Sequence, residues 1–263
     1  MKKIDIEEMK KHEWTISWSG GKDSTATVIL CHEYGIPIKE IIYVRMMYDN
    51  ELPATLPVMT EFVDRTIGKF ESWGYSVRMV KSIKSAKDLM NAKYIKSKRQ
   101  DKNGKVYGIT AFARGWCNFT TVKRNTIKQL FTDNEYEMVG YAIDEVDRIH
   151  RLTDKKQSIM VTLGIEENQT FDICRKYNML SPLYNLGFYR DGCWFCPNAG
   201  KYQRQYLRDN HRELVEEINK SIEMCDYDLS SIYKRNKWVE DYFKAKEKGQ
   251  CNEIYQQISL FEC

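Results

Sequence analysis

Ser19-Gly20-Gly21-Lys22-Asp23-Ser24 sets two glycines, a lysine and two serines between a bulky apolar run, Trp14 to Trp18, and a helical pattern that begins at Thr25. Adjacent glycines let backbone N–H groups turn inward and approach a ligand closely, and a helix start adds unpaired amides and the positive end of a dipole. Together they form a cradle for phosphate. Lys22 supplies a mobile positive charge, and Ser19 and Ser24 offer hydroxyl donors. Asp23 either caps the helix or helps to hold a magnesium ion. A plain glycine turn with a serine cap has no use for lysine here.

The eight cysteines form the second group with chemical potential. Cys193 and Cys196 make a CxxC between Gly192 and Pro197, a spacing that points two thiolates at one metal from a tight turn. Cys117, in Arg114-Gly115-Trp116-Cys117-Asn118, and Cys174, in Phe171-Asp172-Ile173-Cys174-Arg175, are further candidates. Cys31 sits within the first helical pattern and reads as a small core residue. Cys225, Cys251 and Cys263 are scattered.

These residues need a scaffold, and 263 residues suffice for one large α/β domain with an appendage, or two modest domains, without disulfide staples. A hydrophobic fraction of 42%, 13% aromatic residues and five prolines exclude a disordered, collagen-like or low-complexity chain. No stretch approaches the ~18 to 20 apolar residues that cross a bilayer. The opening MKKIDIEEMKKHEW is charged throughout, unlike a signal segment. The expectation is a cytoplasmic protein with no membrane partner, whose thiols stay reduced and bind metal or do chemistry. A net charge of +4, from 41 basic and 37 acidic residues, permits an anionic partner without demanding one.

Strands are predicted at Trp14 to Trp18, Ile41 to Met46, Tyr75 to Val80 and Met138 to Ile143, with helices over Thr25 to Tyr34 and Leu56 to Trp73 between them. This alternation predicts an α/β fold, a doubly wound, mostly parallel, Rossmann-like sheet with ligands at the carboxyl ends of its strands. Nucleotide-binding residues 1–170 are expected to be followed, over 171–263, by a cysteine-bearing, mainly helical region. Residues 84–110, rich in lysine and with an Asn103-Gly104 turn signal, read as an exposed hairpin or mobile insertion, a solvated loop or a phosphate-binding flap. At the edge shared with the glycine loop stand Asp49 and Glu51 after strand two, and Asp144, Glu145 and Arg148 after strand four. Taken singly these are helix-start charges. Their convergence on one edge makes them candidates to meet a metal, a ribose or a phosphate.

SGGKDS after a first strand resembles the pyrophosphate-binding loop of the PP-loop superfamily and differs from the GxxxxGK[ST] loop of P-loop ATPases. Those proteins bind adenine nucleotides; most cleave ATP between the α and β phosphates to adenylate a substrate, and the reductases among them reduce an activated sulfonucleotide. From about Trp14 to Gly200 the chain resembles phosphoadenosine phosphosulfate (PAPS) reductase-like proteins. The tryptophan-cysteine segment at Cys117, Leu180-Ser181-Pro182-Leu183-Tyr184, and Arg190 leading into the CxxC carry the likeness, with an acidic segment after strand two and a D-E-x-x-R segment after strand four.

The resemblance implies nucleotide binding by Ser19, Gly20, Gly21, Lys22, Asp23, Ser24, Asp144, Glu145, Arg148 and Arg190. In an ATP-using enzyme Lys22, Asp23 and Glu51 would do the catalytic work, the two acids assisting magnesium. A substrate oxygen would expel pyrophosphate, and sulfur on an open iron or a free thiolate would displace AMP. It also implies a 4Fe-4S iron-sulfur cluster on Cys117, Cys193 and Cys196, either with one iron left open or with Cys174 as a fourth ligand; a structural zinc on the same thiolates is the alternative.

Only Glu262-Cys263 represents the E-C-G-[LI]-H motif of the reductases. Gln257-Ile258-Ser259-Leu260-Phe261 resembles the peptide with which replication proteins dock into the DNA sliding clamp; the other reading is an amphipathic tail folded on the domain. The expected function is a nucleotide-binding enzyme of sulfur transfer or sulfonucleotide chemistry, with nucleic acid among its candidate acceptors. The alternative is a non-catalytic, DNA-associated accessory protein.

Overall fold

The computed structural model describes residues 4–247 except Ser97, Arg99, Trp116, Asp133, Asn134, Arg190, Tyr227, Ser230 and Ser231. The candidate residue Arg190 and the clamp-like segment 257–261 therefore lie outside the described residues. In chain order the elements are α1 (Ile6–Met9), β1 (Trp14–Trp18), α2 (Lys22–Glu33), β2 (Ile38–Arg45), α3 (Pro57–Ser72), β3 (Val77–Lys81) and α4 (Ala86–Asn91). There follow α5 (Asn118–Lys128), β4 (Tyr136–Met138), α6 (Val146–Ile149), β5 (Lys156–Gln157), α7 (Ile159–Leu163), α8 (Gln169–Lys176) and α9 (Pro182–Asn185). The last are α10 (Lys201–Asn210), α11 (Arg212–Glu223) and α12 (Lys237–Glu247).

The five strands pair in parallel in the order β3-β2-β1-β4-β5. The α/β class with a parallel sheet is as the alternation predicts. β1 is central and buried on both faces: Trp14, Ile16 and Trp18 are buried, and so is Thr15 between them. Its neighbours β2 and β4 lead in opposite directions across the sheet, so the chain order reverses at β1. In open parallel sheets that reversal opens a crevice beyond the carboxyl ends of the strands.

The strand boundaries differ from the sequence expectation at β4. The apolar run Met138 to Ile143 is strand only to Met138. Val139, Tyr141 and Ala142 are buried all the same, and Val139 and Tyr141 pack with Leu152 and Val161 in a small core. The run is apolar because its turn is covered. β5 has only two residues and carries no sequence signal.

Two compact units divide the chain, and they do not follow a single cut. The first holds the sheet: residues up to Met47, Glu51–Ile83 and Val122–Asp191. The second gathers Tyr48–Asn50, Lys84–Thr121 and the chain from Gly192. Residues 84–110 belong to it. They form α4, closed by a capping box between Ser85 and Asp88, and a hairpin-like pairing of Lys93 with Val106 around the turn at Gly104.

Within the second unit an aromatic cluster joins segments that are remote in sequence. Phe195 meets Phe112 and Phe119 at ring-centroid distances of 4.9 and 5.6 Å, and Trp194 meets Tyr48 at 4.5 Å. α10 and α12 are tied by Arg204, only 8% exposed, whose guanidinium donates to both oxygens of Asp241 at 2.7 and 3.2 Å. Arg208 also donates to Asp241. Burial raises the Asp241 pKa, but the two guanidiniums outweigh it and hold the carboxyl below its ordinary range. Its contribution to stability is thus complete above the unfolded value near 4 and lost as pH falls through the depressed one. Asp241→Asn should cost about 2 to 3 kcal/mol in chemical denaturation by leaving Arg204 short of its counter-charge, and should flatten the loss of stability below pH ~4. An unchanged midpoint would contradict this role.

Candidate functional site

β1 delivers the chain to the sheet edge at Trp18, and three residues later α2 begins. Gly20 makes this possible with φ +82°, a conformation that side chains resist. Gly21, extended at φ −79° and ψ 160°, is the N-cap of α2 and offers no side chain to cover the helix amides. α2 thus starts at Lys22, ahead of the expected Thr25, and the first-turn amides fall within the glycine loop. The two serines brace that loop. Ser24 Oγ accepts from the Ser19 amide at 3.1 Å, lies 3.0 Å from Ser19 Oγ, and donates to the Gly21 carbonyl at 3.1 Å. Trp18 Nε1 donates to Thr25 Oγ1 at 2.9 Å, which fixes the strand to the helix beneath.

Lys22 is not the mobile charge that its position in the sequence predicts. It is 6% exposed, its ammonium donates to Asp23 and Glu167 at 2.7 Å each, and it lies over the Phe171 ring. Burial lowers its pKa, but the two carboxylates more than compensate and raise it above the ordinary lysine value. Asp23 also accepts from Thr170 Oγ1 at 3.1 Å, and burial pushes its pKa upward against the pull of Lys22.

The β4 exit meets the same loop. A side chain at Gly140 would stand 2.9 Å from the Asp23 carbonyl carbon and the Ser24 nitrogen, so two backbones touch there. Beyond it, Asp144 accepts from the Glu167 amide at 3.0 Å. Glu145 accepts from Arg148 at 2.7 Å and from the Ala142 amide at 3.1 Å, and Arg148 lies over the Tyr141 ring. Asp144 thus holds the backbone of Lys22's partner Glu167, while Glu145 and Arg148 pair with each other. Glu51 is exposed on the bend leading to α3. Asp49 belongs to the second unit, where it pairs with Lys87 at 3.2 Å.

Two site residues have no sequence signal. Glu167, in the turn before α8, reaches Lys22 only because α8 packs on α2. Asp191 accepts from Ser181 Oγ at 2.7 Å, and its other oxygen faces the open side of Gly21, 3.3 Å from where a side chain would begin. Burial pushes its pKa up to about 6, against the pull of Ser181 and Lys22.

Glu167 occupies the charge that a phosphate would claim. Exposed ion pairs are worth ~0.2 to 1 kcal/mol, and the Glu167 side chain is half exposed. Glu167→Gln should therefore tighten ATP binding by about twofold to fivefold in calorimetry. Unchanged or weaker binding would show that Lys22 does not exchange partners.

The four candidate metal ligands divide between the two units. Cys174 is buried in the first unit, its thiol donating to the Lys22 carbonyl at 3.2 Å, and burial pushes its pKa up to about 12. With no metal cation beside it the thiol is neutral at neutral pH. Cys117, Cys193 and Cys196 are half-buried in the second unit. Among the described residues no group of three or more His, Cys, Asp or Glu side chains is arranged to hold a metal ion. Among the described residues no helix is long and apolar enough to cross a membrane.

No model of a known protein family matches the chain, and no curated protein matches it. Among solved structures it is similar to the U34-tRNA thiolase NcsA from Methanococcus maripaludis with its 4Fe-4S cluster, at 14% identity over 82% of this chain and 73% of that one, with a TM-score of 0.37. At that identity and score the likeness carries no argument about function.

Proposed function

We propose that the chain is an adenine-nucleotide enzyme of the PP-loop type, resembling PAPS reductase-like proteins and acting in sulfur transfer or sulfonucleotide chemistry. The observation that carries this reading is the β1–α2 junction. A left-handed glycine, an uncovered helix start and a lysine held by carboxylates come together at the point where the sheet order reverses. Loop amides and the α2 start would hold the phosphates, and Lys22 would exchange Glu167 for a phosphate oxygen. With ATP, a substrate oxygen bonds to the α phosphorus and the bond to the leaving pyrophosphate breaks. Charge neutralisation and positioning carry such a step. Magnesium arriving with ATP would find oxygen ligands in Asp23 or Glu51, and it would screen the pyrophosphate charge. Asp144, Glu145 and Arg148 would border the rest of the nucleotide.

Product analysis separates the branches. Release of pyrophosphate and AMP from ATP in the presence of an acceptor supports the adenylating branch. Release of sulfite from PAPS in the presence of a dithiol reductant, with no pyrophosphate released from ATP, supports the reductase branch. Nucleotide binding without turnover of either supports the accessory reading, and no binding of either nucleotide sinks the proposal.

A further inference from the structure

The second unit contains a pocket of about 330 Å³, near the lower end of the ~300 to 1,000 Å³ typical of small-ligand sites. Three segments of that unit line it: Arg114 ahead of Cys117, residues 198–201 behind the CxxC with Arg204 of α10, and α12. Five cations and two acids make up its charged wall. Both acids are already engaged. Asp241 accepts from Arg204 and Arg208, and Glu240 accepts from Lys237 at 2.7 Å and Lys244 at 2.6 Å. By contrast, Arg114 and Lys201 are exposed and pair with no carboxylate among the described residues.

The start of α10 opens into the same pocket. Its N-cap Gly200 is extended and gives no side-chain cap, whereas at α12 the Asn236 carboxamide accepts from the Trp238 amide at 3.0 Å. A surplus of three positive charges, a guanidinium fork and an uncovered helix start match a compact dianion better than a single carboxylate. We propose that this pocket is a second anion site, taking the phosphate ester group of a ligand independently of the glycine loop.

The test follows the backbone amide resonances of Gly200 and Lys201 while inorganic phosphate, or a 5′-phosphorylated trinucleotide, is added to wild type and to Lys22→Ala. Saturable shifts should appear in both proteins, and the Arg114→Gln/Lys201→Gln double variant, which alters two exposed side chains, should weaken binding at least tenfold. Tighter binding of the trinucleotide identifies a nucleic-acid phosphate as the source; equal binding identifies a small phosphate ester. Absence of shifts with both probes overturns the proposal, as does binding that survives the double variant or disappears with Lys22→Ala.

Discussion

Lys22→Ala should weaken ATP binding by about 10- to 100-fold, the scale of a charge-assisted hydrogen bond to phosphate, and should lower any turnover by about 100-fold or more. The effect is large because Lys22 is the cation at the start of α2 and its charge is already desolvated, at 6% exposure. A buried cation does not first have to shed water to meet a phosphate. Losing Lys22 also leaves Asp23 without its 2.7 Å partner, so a modest drop in melting temperature should accompany the functional loss. Circular dichroism and calorimetry on the same samples separate the two effects. A folded variant that binds ATP as tightly as wild type would remove the loop from the account.

Gly140→Ala should be nearly as damaging from the opposite side of the junction. The new methyl would meet the Asp23 carbonyl carbon and Ser24 nitrogen at 2.9 Å and the Asp23 oxygen at 3.0 Å. None of these atoms ends a flexible side chain, so the loop and the β4 exit must separate. Overpacking of this kind costs about 2 to 3 kcal/mol, and the displaced α2 start should lose most of its nucleotide affinity. Gly68→Ala is the matched control: within α3 its methyl meets nothing within 4 Å. There alanine should stabilise by about 0.5 to 1 kcal/mol through helix propensity. Equal denaturation midpoints for the two variants would contradict the close approach at Gly140.

The glycine loop and β1 are legible in the sequence because both are local. WTISW is a short run buried on both faces, and SGGKDS follows it directly. β4 is not, because apolar character reports burial and not strand, and Val139 to Ala142 are buried in a turn that Gly140 brings against Asp23. Glu167 and Asp191 reach the loop through packing of distant segments, which no local pattern encodes. The second unit is likewise non-local, since residues 84–121 and the chain from Gly192 share a core only through contacts such as Phe112 with Phe195. Cysteine spacing shows the limit of residue type: the CxxC lies in the second unit, whereas Cys174 is buried in the first with its thiol on the Lys22 carbonyl.

The central claim is that residues 19–24 cradle the phosphates of an adenine nucleotide, and calorimetric titration of the full chain with ATP and with PAPS in the presence of magnesium tests it most directly. Saturable binding of at least one nucleotide, weakened about 10- to 100-fold in Lys22→Ala and tightened in Glu167→Gln, is the expected result. No binding of either nucleotide at millimolar concentration, or binding indifferent to both substitutions, would contradict it.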